Sequence, residues 1–423
     1  MKFYNDFLSD LEKVISINSE KSAPTPNAPF GEGVKRSLEA FLQIAKDMGF
    51  ETVNYDNYMG EVIFGSGEEI GIIGHVDVVP AGVGWQTDPY KLTFKNGVYY
   101  GRGIADDKGP LLACLYALYE LKEQGIIPNV KFRLFVGCDE ESGWQDVEYF
   151  KSKSCFPKYG FSPDGNFPVS YAEKGVEHIE FYIPEFKNFY DLQGGVAVNA
   201  VCALATCRAK PQGINKALLE KHGLILKDGN LIESHGKAAH GALPHLGISA
   251  FKALFNYFLD MGEDVEKVCD YVINDKSGVR KLNNEQGYVT ASFNLVKKTE
   301  NGYALVTDCR IPAPIQFKDI KDYFDGFGIQ YSATEAHPPV MVEKTGKLVQ
   351  TLCNAYSTIT GEKAEPIYLN GSSFARVFEQ GVTFGAEFDG INNALHEAGE
   401  NITAENLKKL YNIYLQAIKG LAK

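Results

Sequence analysis

The stretch Gly101-Arg102-Gly103-Ile104-Ala105-Asp106-Asp107-Lys108-Gly109-Pro110 constrains this chain more than any other. Two adjacent acids sit among glycines, directly ahead of the apolar run Leu111 to Leu121. Glycine permits unusual dihedrals and close approach, and proline suits the first turn of a helix. The pattern predicts a strand-end loop that delivers carboxylates to the start of a buried helix. Carboxylates held there require a cation or a proton, because unpaired charge away from water is costly. Taken alone, the Asp pair reads better as a polar turn with a capping acid, so the neighbouring loops decide.

Three further loops come directly after short apolar, strand-like runs. His75-Val76-Asp77 follows Ile70 to Gly74. In an extended segment residues two apart point the same way, so one can ligate a metal while the other orients a ligand. Cys138-Asp139-Glu140-Glu141 follows Val130 to Gly137, and Asp164 follows Phe161-Ser162-Pro163. In open α/β sheets the site lies beyond the carboxyl ends of the strands. Topology therefore gathers His75, Asp106, Glu140, Glu141 and Asp164 into one crevice. A His with several carboxylates suits Zn²⁺, or Mn²⁺ where carboxylates dominate.

A chain of 423 residues predicts two or three domains. Its net charge of −12 argues against nucleic acid or an anionic membrane as partner. No run is apolar for long enough to span a bilayer. The start Met1-Lys2-Phe3-Tyr4 lacks the look of a secretory signal, so a cytoplasmic location is expected. The eight scattered cysteines, with no C-x-x-C pair, read as buried free thiols. Helical spacing covers 4–17 and 33–48, and Asn96-Gly97 predicts a hairpin turn. From Val176 the texture changes. Val176 to Ile183, Ala197 to Ala209 and Ala304 to Ile311 read as strands, and Ile248 to Met261 as a helix. Helices return at Lys347 to Thr360, Ser372 to Glu379 and from Thr403 onward. The expected organisation is a first domain split into 1–175 and 343–423, with 176–342 inserted.

Together, GHVDVVPAGVGW (74–85), YGRGIADDKGP (100–110), GCDEESGW (137–144), FSPD (161–164), HGKAAHGALP (235–244), DCRIP (308–312), GSSFAR (371–376) and HEAGENI (396–402) resemble one family. It is that of the co-catalytic metallopeptidases, which include aminoacylase, carnosinase and the glutamate-releasing carboxypeptidases. The PepV-type bacterial dipeptidases look nearest. The resemblance implies an α/β fold: a mixed-sheet catalytic domain of the di-zinc exopeptidase type with an inserted α+β lid. It implies two divalent metal ions. His75, Asp106 and Asp164 would hold one, and Asp106, Glu141 and His396 the other, with Asp106 bridging across a cis Asp106–Asp107 peptide. Glu140 would be the general base, Asp77 would orient His75, and His240 would stabilise the oxyanion. Asn199, Arg310 and the loop Asn370-Gly371-Ser372 look like contacts to the substrate carboxylate. The implied activity is hydrolysis of dipeptides, with N-acyl amino acid deacylation of a small amide as the alternative. The implied state is a monomer, because the enlarged insertion can present His240 to its own chain.

The residues by themselves do not find His396 or His240. His235, His240 and His245 are five apart, with Gly236, Gly241 and Pro244 breaking any helix, so a metal site among them is not expected. The chain departs from the family pattern at Asn370-Gly371-Ser372-Ser373-Phe374 and at Glu387 and Asp389. These departures bear on substrate choice.

Overall fold

A computed structural model describes residues 2–274, 278–326 and 328–423. They form two compact units, one of 1–172, 341–369 and 373–423, the other of 173–340 with 370–372.

The first unit is built on a mixed sheet. Its strand order is Glu51–Tyr55, Met59–Gly65, Val130–Gly137, Glu68–His75, Tyr159–Ser162, Gln380–Thr383 and Ser170–Glu173. The four strands from Val130–Gly137 to Gln380–Thr383 pair parallel, and the flanking pairs are antiparallel. The parallel strands are therefore short apolar runs buried on both faces, as such sheets require. Alternation divides their side chains: Ile72 and Leu134 enter the main core, while Ile73 and Phe135 enter a smaller cluster with Val147, Phe150, Phe374 and Phe378.

Helices Tyr4–Ile15, Glu32–Asp47, Lys108–Glu123, Lys347–Thr360 and Ala404–Leu421 supply the rest of the main core. Lys108–Glu123 is apolar nearly all round and buried from Lys108 to Leu118, which explains why no polar stripe marks it in the sequence. Its first residue, Lys108, is itself buried. The ammonium donates to the carbonyls of Val14 and Ile17, 3.0 and 2.8 Å away, at the end of the first helix. Burial lowers its pKa to about 7.

Among the described residues the second unit holds two four-stranded antiparallel sheets. One runs Thr290–Thr299, Gly302–Ile311, Gly175–Pro184, Tyr331–His337; the other runs Phe189–Gly194, Leu204–Ala209, Leu231–His235, Ile225–Lys227. Phe251, Leu254, Phe255 and Phe258 of helix Ala250–Asp260 fill the core beside them.

Three expectations are corrected. The run from Ala197 is a strand only over Leu204–Ala209. Before it, Asn294 Nδ2 donates to the Val198 carbonyl and Val201 N–H donates to the Ala239 carbonyl, so these residues bond to a loop and a side chain instead of a ladder. Ser372 to Glu379 is not a full helix. It holds one 3₁₀ turn, Phe374–Val377, capped by Ser373 Oγ, because the chain enters strand Gln380–Thr383 immediately afterwards. All eight cysteines are free, but Cys155 is exposed.

Candidate metal centre

Three of the four parallel strands end at one edge in His75, Gly137 and Ser162, and this fixes where the chemistry gathers. His75 is the last residue of its strand, Glu140 and Glu141 come just after Gly137, and Asp164 comes just after Ser162. Asp106 arrives from the glycine loop at the head of the buried helix, across a cis peptide to Asp107. His396 arrives from the segment beyond Thr383 and adopts φ 61°, an uncommon backbone for a side-chain-bearing residue and one that clusters at functional sites.

The structure brings these side chains within bonding reach. His75 Nε2 lies 3.1 Å from Asp106 Oδ1 and 3.7 Å from Asp164 Oδ2. His396 Nε2 lies 2.9 Å from Asp106 Oδ2 and 3.3 Å from Glu141 Oε2. Asp106 thus turns one carboxylate oxygen to each imidazole. His75, Asp106 and Glu141 can bring ligand atoms within 4.8 Å of one another, and so can His75, Glu140 and Asp164. On its far side His75 Nδ1 donates to the Asp77 carbonyl oxygen at 2.9 Å, which turns Nε2 toward the acids.

The loops are fastened from behind by buried carboxylates that accept backbone N–H groups. Asp77 accepts from Glu140 and Glu141, at 3.3 and 3.1 Å, and its side chain approaches His75 Nδ1 only to 3.4 Å. Asp146 accepts from Cys138 and Asp139 at 2.7 and 3.1 Å. Asp107 accepts from His75 N–H at 3.2 Å. A Cβ on Gly74 would lie 1.9 Å from Asp107 Oδ2, so only glycine admits this approach. Glu400 accepts from Gly103, Ala105 and Asp106. Sequence reasoning missed Asp146 and Glu400. Each acid lies close to a candidate ligand along the chain, but only the fold shows which N–H groups converge on it.

The charge balance bears on what the centre can hold. Burial and the neighbouring acids raise the carboxyl of Glu140 well above the ordinary range; burial and Asp106 raise Asp164, and push Glu141 up to about 7. Burial also raises Asp106, but hydrogen bonds from His396 and His75 outweigh it and hold that carboxyl low. Asp106 and Glu141 push His396 up to about 11. Four acids against two imidazoles leave an excess of negative charge, and the donors are the oxygen and nitrogen atoms that a borderline divalent cation takes. The residues present fit such ions.

In the second unit, Gly241 N–H donates to the Asn199 carbonyl at 2.7 Å, and an isolated bridge pairs Ala200 with His240. His240 Nδ1 accepts from Ala242 N–H at 3.1 Å, so the ring proton sits on Nε2. Arg310 donates through Nε and Nη2 to Asp308, at 2.7 and 2.9 Å, with both residues buried. One edge of the expected fork is therefore engaged. A Cβ on Gly241 would lie 2.2 Å from Asp308 Oδ2, so Asn199, His240, Asp308 and Arg310 form one cluster. Ser372 Oγ is buried without a hydrogen-bond partner among the described residues.

Residues 71–420 match peptidase family M20/M25/M40. A Beta-Ala-Xaa dipeptidase of Lactobacillus delbrueckii subsp. lactis is 32% identical, over 98% of this chain and 96% of its own length. The protein YtjP of Bacillus subtilis (strain 168) is 31% identical, over 99% of this chain and 97% of its own length. The fold is similar to that of the M20 family metallo-carboxypeptidase Sso-CP2 from Sulfolobus solfataricus, with TM-score 0.62, 16% identity and 99% of each chain covered. No described helix is long and apolar enough to cross a membrane. The chain belongs to peptidase family M20/M25/M40 and is a metallopeptidase, a hydrolase of amide bonds.

Proposed function

We propose that the protein is a dipeptidase working with two divalent metal ions, Zn²⁺ or Mn²⁺. His75, Asp106 and Asp164 hold one ion; Asp106, Glu141 and His396 hold the other. The observation that carries this reading is Asp106, with one oxygen toward each imidazole. The ions supply Lewis acidity to water and to the substrate carbonyl. Glu140 takes the proton of the attacking water and delivers it to the leaving amine, a task its raised pKa suits. Asp77 holds the peptide N–H groups of Glu140 and Glu141 and so sets where that base points.

Residues 176–342 serve as the lid of this reading. His240 donates its Nε2–H to the oxyanion of the tetrahedral intermediate, a contact stronger in the transition state than in the substrate. Asn199, Arg310 and Asn370-Gly371-Ser372 receive the substrate carboxylate. Arg310, held by Asp308 along one edge, offers its remaining guanidinium edge.

Glu387 favours a dipeptide over an N-acyl amino acid. Its N–H bonds to the Gly165 carbonyl beside Asp164, and burial with Asp164 and Asp106 pushes its carboxyl up to about 7. An acid there suits a free substrate ammonium, which an N-acyl group lacks. The test is hydrolysis of a panel of dipeptides and N-acetyl amino acids by the protein loaded with Zn²⁺ or Mn²⁺. Cleavage of the dipeptides alone is expected; cleavage of the N-acetyl compounds alone would replace this reading with deacylation.

A further inference from the structure

Glu400 touches no reacting atom, yet its carboxylate is among the most fully bonded in the first unit. It is wholly buried and accepts from four donors. Oε2 takes Arg102 Nη1 at 2.8 Å and Gly103 N–H at 3.0 Å. Oε1 takes Ala105 N–H at 2.9 Å and Asp106 N–H at 3.2 Å. Such charge-assisted bonds are about twice as strong as neutral ones. Three of these donors are successive stations of the loop that ends in Asp106. Glu400 itself lies four residues beyond His396.

Arg102, also buried, extends the junction. Its Nη2 donates to the carbonyls of Pro80 and Glu397 at 3.3 and 3.2 Å, and its guanidinium lies 5.4 Å from the Trp85 ring. The segment after His75, the Asp106 loop and the His396 segment thus meet at one buried ion pair. Two of the three bear on Asp106, whose two oxygens must reach both imidazoles at once. A small rotation of its backbone would break one of those reaches.

We propose that Glu400 is the positioning residue of the metal centre: its carboxylate holds the Asp106 loop against the His396 segment and so sets the affinity for both ions. Charge and length are both needed. A glutamine turns an NH₂ group toward N–H donors, and an aspartate withdraws the carboxylate by one methylene. The inference rests on the reading of Asp106 and His396 as ligands.

The test is competition for Zn²⁺ and for Mn²⁺ against a chelator of known affinity, with wild type, Glu400→Gln and Glu400→Asp. Thermal unfolding of each metal-stripped protein is measured alongside. The expected result is metal binding weaker by about 10–100-fold in Glu400→Gln, with a smaller loss in Glu400→Asp and a cooperative transition kept in the stripped variants. A variant that is less stable when stripped but binds metal as wild type does would overturn the proposal, since Glu400 would then serve the fold alone. Failure of both variants to fold would overturn it for the same reason. Wild type that binds neither ion would instead sink the ligand assignment itself.

Discussion

The two units build their polar clusters by opposite means. In the first, His75, Asp106, Glu141, Asp164 and His396 sit on loops, and each of the Asp106 and Glu140–Glu141 loops is tied down by a buried acid that accepts its N–H groups. In the second, Arg310 lies on a strand buried along its whole length and His240 on a loop bridged to Ala200. In that cluster the buried acid Asp308 pairs with a side chain instead of with backbone. In the cluster proposed to grip cations, the backbones of the Asp106 and Glu140–Glu141 loops are fixed electrostatically. Where a single guanidinium is to be aimed, a strand and one carboxylate suffice.

The largest effect expected of any single change is at Asp106. Asp106→Ala should lower activity to background and remove metal from more than one site, read by metal analysis and turnover together. Glu140→Ala should lower kcat by about 10²–10⁴-fold with metal retained. Equal metal loss in the two would undo the distinction between bridge and base.

His240→Ala should lower kcat by about 10²–10³-fold, with metal content and KM little changed. Mixing His240→Ala with Glu140→Ala sharpens the point. A chain that serves its own site stays inactive at every ratio, whereas recovery on mixing would mean that His240 reaches a partner's centre.

Asp308→Ala leaves the Arg310 charge buried without its mate. It should lower stability by about 3–5 kcal/mol in denaturant unfolding, while metal binding stays at the wild-type level. Metal loss in this variant would mean that the two clusters are not built independently. The smallest effect is set by the exposed pair Lys298 and Glu185, which touches neither cluster. Lys298→Ala should change stability by less than about 1 kcal/mol.

Much of the first unit was legible because its signals are local. A buried parallel strand is a short apolar run, and the reactive side chains of such a sheet sit just past its carboxyl end. His75, Glu140, Glu141 and Asp164 could therefore be grouped from spacing alone. His396 could not, because no apolar run or spacing marks its segment, and it needed the family resemblance. Glu400 was in view within HEAGENI, but its partner Arg102 lies 298 residues away. The strand expected from Ala197 failed for a related reason. Its apolar texture was right, but Asn294, far along the chain, takes the Val198 carbonyl that a ladder would have used.

The junction of Arg102 with Glu400 also has a consequence for the order of biosynthesis. A chain emerging from the ribosome folds from its amino end, in domain-sized pieces. The unit of 173–340 is nearly contiguous, whereas the first unit needs 341–369 and 373–423 to close. The nascent protein therefore completes its second unit while the first still lacks strand Gln380–Thr383, His396 and Glu400. During that interval the acids of the earlier loops are present without the segment that organises them. On the roles proposed for His396 and Glu400, acquisition of metal at full affinity becomes one of the last events in the making of the enzyme.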